Sequence, residues 1–183
     1  MHAIKKTRRC YIYNGDANPI NSGIAFLIDL HAHAAKRGCF LYGNRLISTR
    51  LQAEVLLYAR LTSANSAFMD FDACCFSQRN MTVKEKRDEN LSKEGCARVA
   101  FYYLTGSPHI YTLECNYNVG KFMNSIASGR SGAVTPPLAT MPNQKYTPNS
   151  YAEVGRGLLA ASLDIFDSNP LPRVAPNQVK ALR

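Results

Sequence analysis

Three short stretches hold the residues whose types and spacing could do chemistry. The first is Asp29-Leu30-His31-Ala32-His33. On an extended backbone, positions i, i+2 and i+4 share one face, so Asp29, His31 and His33 would point the same way. Imidazole is a zinc ligand, and a nearby carboxylate can orient it; two hydrogen-bonded polar histidines would give the same pattern. The second is Glu114, inside the apolar run Ile110–Asn116. A carboxylate there is costly to bury unpaired. Buried acids have a partner or a raised pKa, which suits a general base; the plainer alternative is an acid at a strand end facing solvent. The third is the cationic pair Lys93 and Arg98 in SKEGCARVAF. A guanidinium fork matches a carboxylate in bidentate geometry, although a solvated loop would also carry such charges.

The elements that must position these groups follow from periodicity. Gly23–Leu30 (GIAFLIDL) is apolar without alternation, which predicts a strand covered on both faces. The first stretch then lies at its C-terminal end, where α/β sites are found. Leu51, Val55, Tyr58 and Leu61 predict a helix over Leu51–Leu61. Phe68–Phe76 reads as a short strand or loop, and the charged Gln78–Glu94 as a solvated loop. Val99–Leu104 (VAFYYL) reads as a second strand, with Arg98 just before it. Gly106–Pro108 turns the chain and Ile110–Asn116 is a third strand, close enough to pair with the second as a hairpin-like unit. Gly120–Asn149 is a long Pro/Ser/Gly segment. Ser150–Phe166 is the best helix, with Ser150 as cap and Glu153 as its capping-box partner. The final stretch, from Pro170, reads as extended or disordered. Strands separated by helices predict an α/β class with a mainly parallel or mixed sheet.

Composition bounds the function. The chain has 183 residues, 46% hydrophobic and 19% charged, which fits one domain with a real core and excludes a disordered tail or coiled coil. No apolar run approaches the roughly 18 residues of a membrane span. No apolar stretch follows MHAIKKTRRC, so no secretory signal is expected and the cytoplasm is the expected compartment. The net charge of +9 suits a polyanionic partner: nucleic acid, anionic lipid or an acidic peptide. No RGG, zinc-finger or RNP-like signature accompanies it, which ranks a basic nucleic-acid-binding module behind the other readings. The six cysteines lack CxxC spacing and read as reduced thiols.

Taken together, SGIAFLIDLHAHAAKRGCFLYGN, SANSAFMDFDACCFSQRNM, SKEGCARVAFYY and HIYTLECNYNVGKFMNSI resemble the cytosolic carboxypeptidases. These are zinc peptidases of the carboxypeptidase A superfamily that remove glutamates from tubulin tails. The likeness runs from about Ser22 to Ile126, and weakly through the last helix to Pro172. It implies a partial zinc-carboxypeptidase fold, a mixed sheet flanked by helices, over 22–172, with a basic, turn-rich lead-in at 1–21 and a tail at 173–183. It implies Zn2+ as cofactor, with His31 at the position of a zinc ligand and His33 at a neighbouring, non-ligand position. Glu114 matches the general base. Arg98 and Lys93 match basic positions that hold the acidic side chain of a substrate. The implied partner is polyglutamylated tubulin or another acidic protein tail, in the cytoplasm and at the cytoskeleton, with no membrane.

The departures are as informative. The family's other two zinc ligands lie in an HxxE segment, and part of its substrate-carboxylate site in an NxNR segment; this sequence contains neither. The resemblance is therefore to the C-terminal half of a catalytic domain. From that follows the expectation that this chain alone is catalytically inactive and binds zinc poorly. A non-catalytic remnant that binds acidic tails is the alternative.

Overall fold

The computed structural model describes residues 24–83, 93–121, 123–126 and 144–181. The lead-in at 1–21, residues 84–92 of the charged stretch and most of the Gly120–Asn149 segment lie outside the described residues.

Three strands form one mixed sheet: β1 (Leu27–His33), β2 (Cys39–Tyr42) and β3 (Ile110–Asn116), in the order β1-β3-β2. Strand β3 is the apolar run that brackets Glu114. It lies in the middle, parallel to β1 and antiparallel to β2. Parallel neighbours need a long crossover, and the chain between β1 and β3 supplies it. Among the described residues, that crossover contains β2 and three α-helices: α1 (Thr49–Asn65), α2 (Gln78–Thr82) and α3 (Ala97–Thr105). Helix α4 (Pro148–Ile165) follows the sheet, and the short α5 (Pro176–Ala181) follows that. The α/β class and the mixed sheet flanked by helices are as expected.

Helix α1 opens where the Ser48 hydroxyl accepts the Leu51 N–H, an N-cap that satisfies an otherwise orphaned donor. Its predicted stripe is real: Val55, Tyr58 and Leu61 are buried. They meet Leu41, Tyr111 and Leu113 of the sheet and Val154, Leu158, Ala161 and Ile165 of α4 in one core. Gly157 allows α4 to approach the end of α1, since a Cβ there would lie 2.7 Å from the Ser66 Cβ. The Glu153 carboxylate fixes the same junction, accepting from the Ser66 hydroxyl at 2.6 Å and the Ala67 N–H at 3.1 Å.

Several expectations are corrected. Val99–Leu104 is not a strand but lies in α3, so no hairpin with β3 forms. The reason is local: Gly106 takes the left-handed conformation (φ 68°) and returns its N–H to the Tyr102 carbonyl, a helix C-terminus that glycine favours. Strand β1 is not covered on both faces, with Leu30 70% exposed, and among the described residues it is the edge of the sheet. The cap of α4 is Thr147, with Pro148 in the first turn; Ser150 is the third residue of its capping box and Glu153 has no part in it. The charged stretch begins with α2, capped by Ser77. The final stretch contains α5, with Val179 buried, where extended or disordered chain is expected from the sequence. Among the described residues, no helix is long and apolar enough to cross a membrane.

Candidate active site

Alternation along β3 puts Thr112, Glu114 and Asn116 on one face and Tyr111, Leu113 and Cys115 on the other. The parallel register sets Asp29 beside Thr112, His31 beside Glu114 and His33 beside Asn116. The antiparallel register sets Phe40 beside Glu114 and Tyr42 beside Thr112. One face of the sheet therefore carries the row His31–Glu114–Phe40 across all three strands. Residues more than eighty positions apart in the chain become direct neighbours.

Asp29 and His31 do share a face as their spacing predicts: Asp29 Oδ2 is 2.9 Å from His31 Nε2. With Nε2 engaged, Nδ1 is the other donor nitrogen of that ring, and the carboxylate sets the ring's orientation. His33 has a different task. Its Nδ1 accepts the backbone N–H groups of Ala35 (3.2 Å) and Lys36 (2.8 Å), and its ring meets Phe40 edge-on. It closes the turn after β1.

Glu114 is half-buried, and burial pushes its pKa up from the ordinary carboxylate value. The positive side of His31, His33 and Lys93 pulls it back, and Asp29 pushes it up again. A carboxylate held between desolvation and nearby cations can accept a proton and pass it on.

Lys93 stands on a single 3-10 turn, Lys93–Gly95, with its Nζ 5.4 Å from the centre of the Tyr42 ring. Tyr42 is the functional neighbour that sequence reasoning missed. Its phenol is pushed up by burial first and by Glu114 next, while Arg98 pulls it down. Tyr42 thus lies within electrostatic reach of Glu114 and Arg98 and has Lys93 over its ring. The signal was the GCFLYG block, four strand residues between two glycines.

Arg98 departs furthest from its expected placement. It lies in the first turn of α3 and is 2% exposed. One terminal nitrogen donates to the Gly43 carbonyl (2.8 Å) and Asn44 Oδ1 (2.6 Å), and the other to Asn80 Oδ1 (2.8 Å). Asn44 returns a bond to the Arg98 carbonyl. Its hydrogen-bond partners are neutral, its Nε has none among the described residues, and burial lowers its pKa. The buried guanidinium ties the end of β2 to α2 and to its own helix α3 and does not project into solvent.

A catalytic zinc takes about three protein ligands. Among the described residues, no cluster of three or more His, Cys, Asp or Glu could hold a metal ion. His31 with Asp29 fits as one ligand and its orienting partner, and the described residues do not complete a zinc centre.

No family model matches the chain. It is 48% identical over 166 residues, 90% of its length, to cytosolic carboxypeptidase-like protein 5 of Danio rerio. It is 45% identical over the same extent to the protein of that name from Homo sapiens. Human cytosolic carboxypeptidase 6 is 22% identical over 174 residues. The chain covers 19% of each of the first two relatives. Over nine-tenths of its length, then, this chain is homologous to one region of the cytosolic carboxypeptidases, and it spans about a fifth of the length of the first two relatives.

Proposed function

We propose that the chain is part of the catalytic region of a cytoplasmic zinc metallocarboxypeptidase that removes glutamates from polyglutamylated protein tails, such as those of tubulin. The observation that carries this reading is the pairing of Glu114 with His31 across β1 and β3, a half-buried carboxylate with a raised pKa beside an oriented imidazole. When bound, zinc would polarise the scissile carbonyl and acidify a water. In this chain, Glu114 accepts a proton and returns it to the leaving amine. Asp29 holds the His31 ring so that His31 can serve as one zinc ligand. Lys93, on its turn beside Tyr42, is the cation assigned to the acidic side chain of the substrate. Arg98, buried at the end of β2, holds that end in place and adds positive potential near Tyr42.

The test is a chimera in which residues 22–172 replace the matching region of the Danio rerio relative. Mass spectrometry of a polyglutamylated peptide should show stepwise loss of glutamate. No loss from a folded, zinc-loaded chimera would overturn the hydrolase reading.

A second reading is favoured by the net charge of +9 together with Lys93 at the sheet face: a non-hydrolytic binder of acidic tails. Salt-sensitive binding of a polyglutamate peptide to residues 1–183, with no glutamate released by the chimera, would select it.

A further inference from the structure

The opposite face of β3 carries a second arrangement that the hydrolase reading does not use. Cys39 of β2 and Cys115 of β3 are register partners in the antiparallel pair. The bonding around them fixes which kind of partners they are. Next along the ladder, the Asn116 N–H donates to the Gly38 carbonyl at 2.9 Å, so Gly38–Asn116 is a bonded position. The Cys39 carbonyl turns away from β3 and takes the Asp70 N–H at 2.7 Å. Leu41, two residues on, likewise turns its carbonyl away, to the Cys75 N–H at 3.0 Å. Cys39 and Cys115 therefore face each other as a non-hydrogen-bonded pair, the position where antiparallel Cα atoms come closest, about 4.5 Å. A disulfide needs Cα atoms roughly 4.4–6.8 Å apart.

Interaction between the two side chains pushes the Cys39 thiol up and that of Cys115 down, as expected of close neighbours on one face. Cys39 is fully buried, whereas Cys115 is partly exposed. Cys115, the less buried of the two, is therefore assigned as the attacking thiol and fully buried Cys39 as the one that resolves it. Cys74 is placed differently: its sulfur accepts the Leu41 N–H at 3.2 Å and donates to the Asp70 carbonyl. Cys75 is its chain neighbour and contacts Ser77.

We propose that Cys39 and Cys115 are a reversible redox pair, joined by a peroxide into a cross-strand disulfide directly behind Glu114 and reopened by a dithiol. The Cys115 sulfur attacks a peroxide oxygen and the O–O bond breaks. Cys115 becomes a sulfenic acid, and its proton leaves with the released hydroxide as water. The Cys39 sulfur then attacks the Cys115 sulfur, the S–O bond breaks, and a second water carries off the Cys39 proton. Two thiols lose two electrons in all, and one peroxide becomes two waters. A Cα separation of about 4.5 Å lies at the short end of the usual disulfide range, and strained disulfides are the more reducible ones.

Tryptic cleavage makes the test specific. Cys39 falls in 38–45 and Cys115 in 99–121, each with one cysteine, apart from Cys10, Cys96 and the Cys74–Cys75 pair. Reduced full-length chain is treated with stoichiometric hydrogen peroxide, alkylated and digested. The expected result is a cross-linked 38–45/99–121 peptide as the main disulfide, lost after dithiothreitol, and no longer dominant when the chain is oxidised in denaturant. A folded Cys39→Ala variant should instead leave a sulfenic acid on Cys115 that a dimedone probe traps. The proposal is overturned if both peptides are recovered alkylated, or if the main bridge involves Cys10, Cys74, Cys75 or Cys96.

Discussion

The two strands that flank β3 are built to different standards. Strand β2 has only four residues, yet Cys39, Phe40 and Leu41 are fully buried. Its end is locked by Arg98 and by Gly43, where a Cβ would lie 2.5 Å from the Phe76 ring. Strand β1 has seven residues, and most of its outer half is exposed, Leu30 at 70%. Both present side chains to the same row through Glu114. The candidate site thus has one wall set in the core and one wall that, among the described residues, is an open edge. The rigid wall carries Phe40 and Tyr42, which shape the surroundings of the base. The open wall carries Asp29 and His31, the groups that would meet a metal.

This asymmetry should appear first in stability. Leu41→Ala removes a fully buried side chain and should cost about 2–5 kcal/mol, whereas Leu30→Ala should stay within about 0.5 kcal/mol. Urea unfolding of the two variants separates them; equal losses would mean that β1 is as deeply packed as β2. The cations should divide in the same way. Arg98→Ala leaves Gly43, Asn44 and Asn80 acceptors unsatisfied in the interior, a cost of about 2 kcal/mol. Lys93→Ala should leave unfolding nearly unchanged and, in the chimera, raise KM for glutamate tails well above its effect on neutral ones. A destabilising Lys93→Ala, or equal effects on both substrate types, would remove Lys93 from the substrate site. Gly43→Ala should fall in the same range as Arg98→Ala, at about 1–3 kcal/mol, because the Phe76 ring must shift; no loss would mean the ring moves freely.

The smallest effect is the pH dependence of Glu114. Its folded pKa is raised above the ordinary 4.5, so the folded state holds the proton more tightly than the unfolded chain. Its contribution is fully present below 4.5 and is lost as pH rises through the folded value. Glu114→Gln, which cannot ionise, should therefore gain stability relative to wild type on going from pH 4 to pH 7. A gap that shrinks over that range would mean the carboxylate is held by its cations more than it is hindered by burial.

Much of this arrangement can be read from the residues alone, for local reasons. Helix α1 shows in the spacing of Val55, Tyr58 and Leu61, and β3 in an apolar block with one acid. The shared face of Asp29 and His31 is a two-residue period that needs no tertiary partner. What failed depended on neighbours. VAFYYL is apolar enough for a strand, and the decisive sign was two residues past it: Gly106, with Pro108 after it, is how a helix stops. Strand β2 escaped notice because Phe40 and Leu41 are both buried and erase the alternation. The placement of Glu114 opposite His31 is a matter of register between distant segments, which no local pattern records. The family resemblance linked the two residues in function; the sheet shows them side by side.

The separate roles of His31 and Glu114 can be read in one experiment on the chimera, measuring zinc content and glutamate release together. Glu114→Gln should keep zinc and lose turnover by roughly 10²-fold or more, since an amide keeps the shape but cannot take the proton. His31→Ala should lose both zinc and turnover. A Glu114→Gln protein that still releases glutamate at the parent rate, or that loses its zinc, would contradict the assignment of Glu114 as the base on this face of the sheet.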